Sequence, residues 1–98
     1  MKHFHRTHVP PALALSVADE FFEGSLGMVR RASLERGRTY AGTLGTVTLS
    51  VRPEGGHYTL IEAYTDQMGE SRLDRNVKRY FVRVHRAADQ THQLTAAY

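Results

Sequence analysis

Between Leu26 and Asp66 apolar and polar residues alternate with a period of two. Glycine-bearing turns at Glu35-Arg36-Gly37, Thr43-Leu44-Gly45 and Pro53-Glu54-Gly55-Gly56 cut this run into strand-length pieces. Connections this short leave no room for a crossover helix, so successive strands must run antiparallel, as a meander of four. The third piece is the clearest, with Val47, Leu49 and Val51 on one face and Thr46, Thr48, Ser50 and Arg52 on the other. The fourth, His57 to Thr65, is rich in Tyr, Thr and Ile and alternates less cleanly, as a strand covered on both faces or bent by a bulge would.

The flanks supply the rest of the fold. Residues 2–8 read as a short N-terminal strand stopped by Pro10-Pro11. Pro11 also suits the first turn of a helix. Leu13, Ala14, Val17, Ala18, Phe21 and Phe22 then recur at helical spacing, which predicts a helix over 11–23 with Gly24 as a left-handed stop. Ser71 is the expected N-cap of a second helix, whose apolar stripe is Leu73, Val77, Tyr80, Phe81, Val84 and Ala88. After Asp89 the chain is polar until Leu94, so residues 89–98 read as a frayed or loosely docked tail. A length of 98 residues allows one core, hence a single domain over 1–98. The fold class is α+β: an antiparallel sheet of four to five strands packed against two helices in the order β-α-β-β-β-β-α, a two-layer sandwich with the second helix lying across the sheet.

Composition narrows the function classes. A hydrophobic fraction of 41% with 23% charged residues is that of a folded chain. Without cysteine there are no disulfides, thiolate metal sites or cysteine nucleophiles, which favours a reducing, cytoplasmic setting. Lys2 and Arg6 ahead of Val9-Pro10-Pro11-Ala12-Leu13-Ala14-Leu15-Ser16-Val17-Ala18 imitate a signal peptide. The paired prolines and the continuation of the helical face through Phe21-Phe22 argue against one. No stretch approaches the ~20 apolar residues of a membrane span.

The strand ending in Val9-Pro10-Pro11 before a helix, the hairpin from Gly45 to Tyr58 and the closing amphipathic helix together resemble a shortened START-like, or SRPBCC, helix-grip superfamily domain. That resemblance implies a curved sheet wrapped around a long C-terminal helix and an apolar cavity between them. The chain departs from the family in having fewer strands and lacking a second short helix, so a cavity would be small, absent or completed by a second chain.

For chemistry the inventory is thin. His3 and His5 share a strand face and His8 falls on the other, but two imidazoles make no closed metal site without a third ligand, which His57, His85 or His92 would have to supply. No metal and no cofactor is assigned. Ser33, Ser50 and Ser71 lack a nucleophile context, so no catalytic residue is assigned either, and a non-enzymatic or weakly enzymatic domain is expected. Tyr58, Leu60, Glu62 and Tyr64 share one face of the last strand. If that is the covered face, these four with Tyr80 and Phe81 line a ligand site, and Glu62 is a carboxylate whose pKa rises. If it is exposed, Arg79 or Arg83 is a ready partner for Glu62. The net charge of +3 is concentrated on the second helix, where Arg72, Arg75, Arg79, Arg83 and Arg86 descend one side, with Lys78 beside them. There Asp74 is placed to pair with Lys78.

Two readings follow. The leading one is a domain that holds a small apolar ligand, or buries the same face against a second copy as a homodimer. The alternative is a basic module whose arginine face binds nucleic acid or an acidic partner, less favoured because no aromatic residues interleave the arginines.

Overall fold

The computed structural model describes the backbone of residues 1–96 and the side chains of residues 1–89. Its elements are β1 (Lys2–Thr7), α1 (Pro11–Ala18) continuing as a π-helical segment (Asp19–Ser25), β2 (Val29–Leu34), β3 (Gly37–Gly42), β4 (Gly45–Glu54), β5 (Tyr58–Thr65) and α2 (Arg72–Ala96). All strand pairs are antiparallel and the sheet order is β1-β5-β4-β3-β2, so the meander of four closes on β1 as its fifth strand. Helix α2 packs on β1 and β5 while α1 packs on β4 and on α2, which makes the two-layer α+β sandwich expected from the element order.

The first helix departs from expectation at its C-terminal end. Phe21 and Phe22 are adjacent in sequence, yet both are buried. A regular α-helix turns successive side chains ~100° apart. The wider π-helical turn instead brings both rings to the core, with Leu26 N–H donating to Phe21 O at 3.1 Å and Met28 N–H donating to Phe22 O at 2.9 Å. The left-handed stop is therefore Gly27, at φ 66°, and not Gly24, which the regular 3.6-residue count had selected. Helix α2 also runs on to Ala96, past the point where the apolar stripe ends. Whether the tail docks depends on side chains from residue 90 onward, which lie outside the described residues.

The core is an aromatic stack roofed by aliphatics. Phe22 lies 4.9 Å from Tyr40 and 5.4 Å from Tyr80, centroid to centroid, and all three are fully buried. Val47, Leu49 and Val51 face this stack from β4, as their alternation predicted, with Ile61 and Ala63 from β5 and Leu73, Val77 and Val84 from α2. Each buried hydroxyl finds an acceptor: Tyr80 Oη donates to Ala14 O at 2.8 Å and Tyr40 Oη to Asp19 Oδ1 at 2.6 Å. Burial leads the rise of both phenol pKa values, reinforced at Tyr40 by the hydrogen bond to Asp19.

Gly45 holds the β3–β4 turn against the end of β5. Its φ is 129°, and a Cβ there would sit 2.5 Å from Asp66 Oδ1, the oxygen that accepts from Thr46 N–H at 2.9 Å. Gly45→Ala is expected to cost about 1–3 kcal/mol of stability, read as a lower urea midpoint at unchanged slope.

Candidate functional site

The six residues expected to line one site are divided by the sheet. β1 and β5 pair so that His3 faces Ala63 and His5 faces Ile61, the buried positions, while Lys2, Phe4 and Arg6 face Tyr64, Glu62 and Leu60. Tyr58, Leu60, Glu62 and Tyr64 therefore lie on the face turned away from the helices, whereas Tyr80 is in the core and Phe81 packs at its margin. Of the two alternatives open for the aromatic phase of β5, the exposed one holds, because the rings of Phe22, Tyr40 and Tyr80 already fill the space above the sheet. Only the smaller phase, Thr59, Ile61 and Ala63, fits beneath them. A hollow of about 530 Å³ beside the β2–β3 turn, lined by Ala32, Leu34, Thr39 and Thr48 among others, opens on the sheet surface and not beneath α2.

Glu62 is accordingly corrected. It accepts a hydrogen bond from Tyr64 Oη at 2.9 Å and pairs with Lys2 at 3.6 Å and Arg52 at 3.4 Å, not with Arg79 or Arg83. The Tyr64 hydrogen bond and the two cations hold its pKa below the ordinary carboxylate value, the reverse of the rise expected for a covered acid. Lys2 also lies over the rings of Phe4 and Tyr64.

The histidines serve packing. Ser71 caps α2 as expected: its Oγ accepts from Asp74 N–H at 3.0 Å. Asp74, however, turns inward and does not meet Lys78, which pairs with Glu70. At 1% exposure its carboxylate binds His3 Nε2 at 2.6 Å and accepts from Thr65 Oγ1 at 2.8 Å and from Ser71 Oγ. Burial opposes the charge, but the hydrogen bonds from Ser71, His3 and Thr65 outweigh it and depress the Asp74 pKa. In this arrangement the carboxylate bridges serine and histidine, so the imidazole is not placed to activate the hydroxyl. His5 stacks on Phe81 at 5.0 Å and His8 against Tyr58 at 4.8 Å. Among the described residues no three histidine, aspartate or glutamate side chains converge on a metal position, and His92 lies outside them. A second cluster is also spent on the fold: Asp19 accepts from Tyr40 and from Arg38 at 3.1 Å and pairs with Arg30, which also meets Glu23.

Lys2, Arg6, Arg30, Arg38, Arg52 and Lys78 each meet a carboxylate. By contrast, Arg72, Arg75, Arg79, Arg83 and Arg86 make no ion pair among the described residues. At ~100° per residue these five fall within an arc of about 80°, along ~21 Å of helix. All five are exposed, and the C-terminal three, Arg79, Arg83 and Arg86, lie beside α1 and the π-helical segment. Two grooves run between these elements, one of about 400 Å³ lined by Val17, Glu20, Arg83, Arg86 and Ala87. The other, about 360 Å³, has walls of Phe21, Ser25, Leu26, Asn76 and Val82, with Arg79, Arg83 and Arg86 along it. Arg83 and Arg86 are common to both, and the Arg83 guanidinium lies 5.0 Å from the centre of the Phe21 ring. Phe21 and Glu20 were not singled out in the sequence as parts of this surface, because only the π-helical turn brings them beside α2.

No protein-family model matches the chain, and no curated protein matches it.

His5 makes stability depend on pH. Its Nε2 is buried without a hydrogen-bond partner, and burial, helped by the neighbouring His85, lowers its pKa from the ordinary 6.5. The unfolded chain then takes up this proton first, so the His5 contribution is level above pH ~6.5 and falls as pH drops below it. The urea midpoint is expected to decline from pH 7 to pH 5, and His5→Phe to flatten that decline where a substitution at the exposed His57 does not.

Proposed function

We propose that this chain is a non-enzymatic basic module that binds the phosphate backbone of nucleic acid through the arginine stripe of α2. One observation carries this reading. Among the described residues six of the eight other lysines and arginines are paired with carboxylates, Arg31 and Arg36 being the exceptions, while all five arginines of the stripe stand together without one. Clustered, uncompensated charge is what a polyanion meets with the release of its counterions. Guanidinium groups also fork onto phosphate oxygens in a way ammonium groups do not. No helix among the described residues is long and apolar enough to cross a membrane. The absence of cysteine supports a cytoplasmic setting.

The strand order and the position of α2 across the sheet support the helix-grip resemblance as a matter of fold. Support for a ligand cavity in that position is lacking, because the aromatic stack occupies it.

The test is fluorescence anisotropy with labelled oligonucleotides at low salt and at increasing ionic strength. Expected are binding at low salt, a steep loss with salt, and at least a tenfold weakening in Arg72→Ala/Arg75→Ala/Arg79→Ala at undiminished thermal stability. Arg6→Ala, which removes a cation outside the stripe that is already paired with Glu54, is expected to bind as the parent does. Undetectable binding at low salt overturns the reading, and equal binding of polyglutamate reassigns the stripe to an acidic protein partner.

Self-association is a second reading, favoured by a separate surface. The edge strand β2 is exposed along its whole length, and Leu34, 71% exposed, stands beside the hollow at the β2–β3 turn. Sedimentation equilibrium is expected to show a dimer that Leu34→Lys dissociates.

A further inference from the structure

We infer that the nucleic acid bound here is single-stranded, and that one of its bases stacks on the Arg83 guanidinium between the two grooves. This rests on the polyanion reading and adds to it what the grooves are for. A duplex keeps its base faces stacked on one another, so none is free to lie on a side chain, and the arginine stripe alone would satisfy its phosphates. The structure provides more than a stripe.

Arg83 is an exposed cation set over the ring of Phe21, which is itself 3% exposed. The ring supports the guanidinium from beneath, and a guanidinium so supported is a platform on which a base stacks. Each groove sets apolar side chains among polar ones, Val17 and Ala87 beside Glu20 in one and Leu26 and Val82 beside Ser25 and Asn76 in the other. Such a mixed lining suits a base, which has an apolar face and a polar edge, better than a phosphate alone. Arg79 and Arg86 lie at neighbouring turns of α2, where the phosphates on either side of a splayed base would pass. Glu20, on the wall of the first groove, pairs with no cation among the described residues. It repels phosphate from that groove but accepts a hydrogen bond from an amino or imino N–H on a base edge. Stacking is indifferent to base identity, so the preference is for unpaired bases over paired ones and over none.

The experiment compares three labelled ligands of equal phosphate count at one salt concentration: a mixed-sequence single-stranded DNA, an abasic strand and a duplex, each with the parent protein and with Arg83→Lys. The parent is expected to bind the base-bearing single strand about tenfold tighter than the abasic strand and the duplex. Arg83→Lys keeps the charge and removes the platform, so it is expected to lose that margin while binding the abasic strand as before. Equal affinity of the parent for single-stranded, abasic and duplex ligands overturns this inference and leaves the phosphate reading standing. Absence of binding to all three overturns both. The comparison of strands on the parent protein needs no variant, so the inference stays exposed to refutation even if Arg83→Lys folds poorly.

Discussion

The stack of Phe22, Tyr40 and Tyr80 is the constraint from which the rest of this structure follows. Three large rings from three elements meet in the space above the sheet, and each is placed by a polar tie or a backbone distortion. Tyr80 reaches α1 through its bond to Ala14 O, Tyr40 reaches the π-helical segment through Asp19, and Phe22 enters only because the helix widens there. Once these rings are in place, β5 must offer small or slender side chains beneath them, and Ile61 and Ala63 do so. The larger Tyr58 and Tyr64 of the same strand are displaced to the other face. A fold that would enclose a cavity between sheet and long helix is in this way made solid.

That solidity determines where chemistry can occur. The interior is closed and the buried carboxylate of Asp74 is saturated by Ser71, Thr65 and His3, while the one inward imidazole nitrogen without a hydrogen-bond partner among the described residues, His5 Nε2, is packed on Phe81. The Asp74 network instead fastens β1 to the start of α2, which fixes the rotation of α2 about its own axis. Fixing that rotation places Arg79, Arg83 and Arg86 along the grooves beside the first helix and leaves Arg72 and Arg75 on the exposed surface that continues them. The core arrangement and the basic surface are thus two consequences of one docking geometry.

Element order, strand number and the inward face of β4 were legible in the sequence, because period-two alternation between glycine turns leaves little freedom. The phase of β5 was not. Both of its faces carry apolar residues, Tyr58 and Leu60 on one and Ile61 and Ala63 on the other, and local pattern cannot decide which one a distant pair of helices will cover. The π-helical turn was equally hidden, since nothing in Asp19-Glu20-Phe21-Phe22 distinguishes a widened turn from a regular one until the core demands both rings. Asp74 was read as a surface residue for the same reason. Its spacing to Lys78 is correct for a helical ion pair, but its partner across the fold, His3, is 71 residues away in sequence and invisible to any local rule.

The arginine stripe stands between these cases. Its spacing along α2 was plain from the sequence, but its meaning depended on whether the fold would bring carboxylates against it. Acidic residues do lie close by on the first helix. Asp19 and Glu23 are drawn instead to Arg30 and Arg38, on β2 and β3. The π-helical turn thus acts twice: it buries Phe21 and Phe22, and it directs the nearest carboxylates toward the sheet. What remains along α2 is cationic surface next to grooves of mixed lining, with Glu20 as the single acid among the groove-lining residues. A surface that merely kept a helix face solvated would gain from exchanging such charges with its neighbours. Here the neighbours are engaged elsewhere and the arginines stay uncompensated, which is the observation on which the proposed polyanion reading rests.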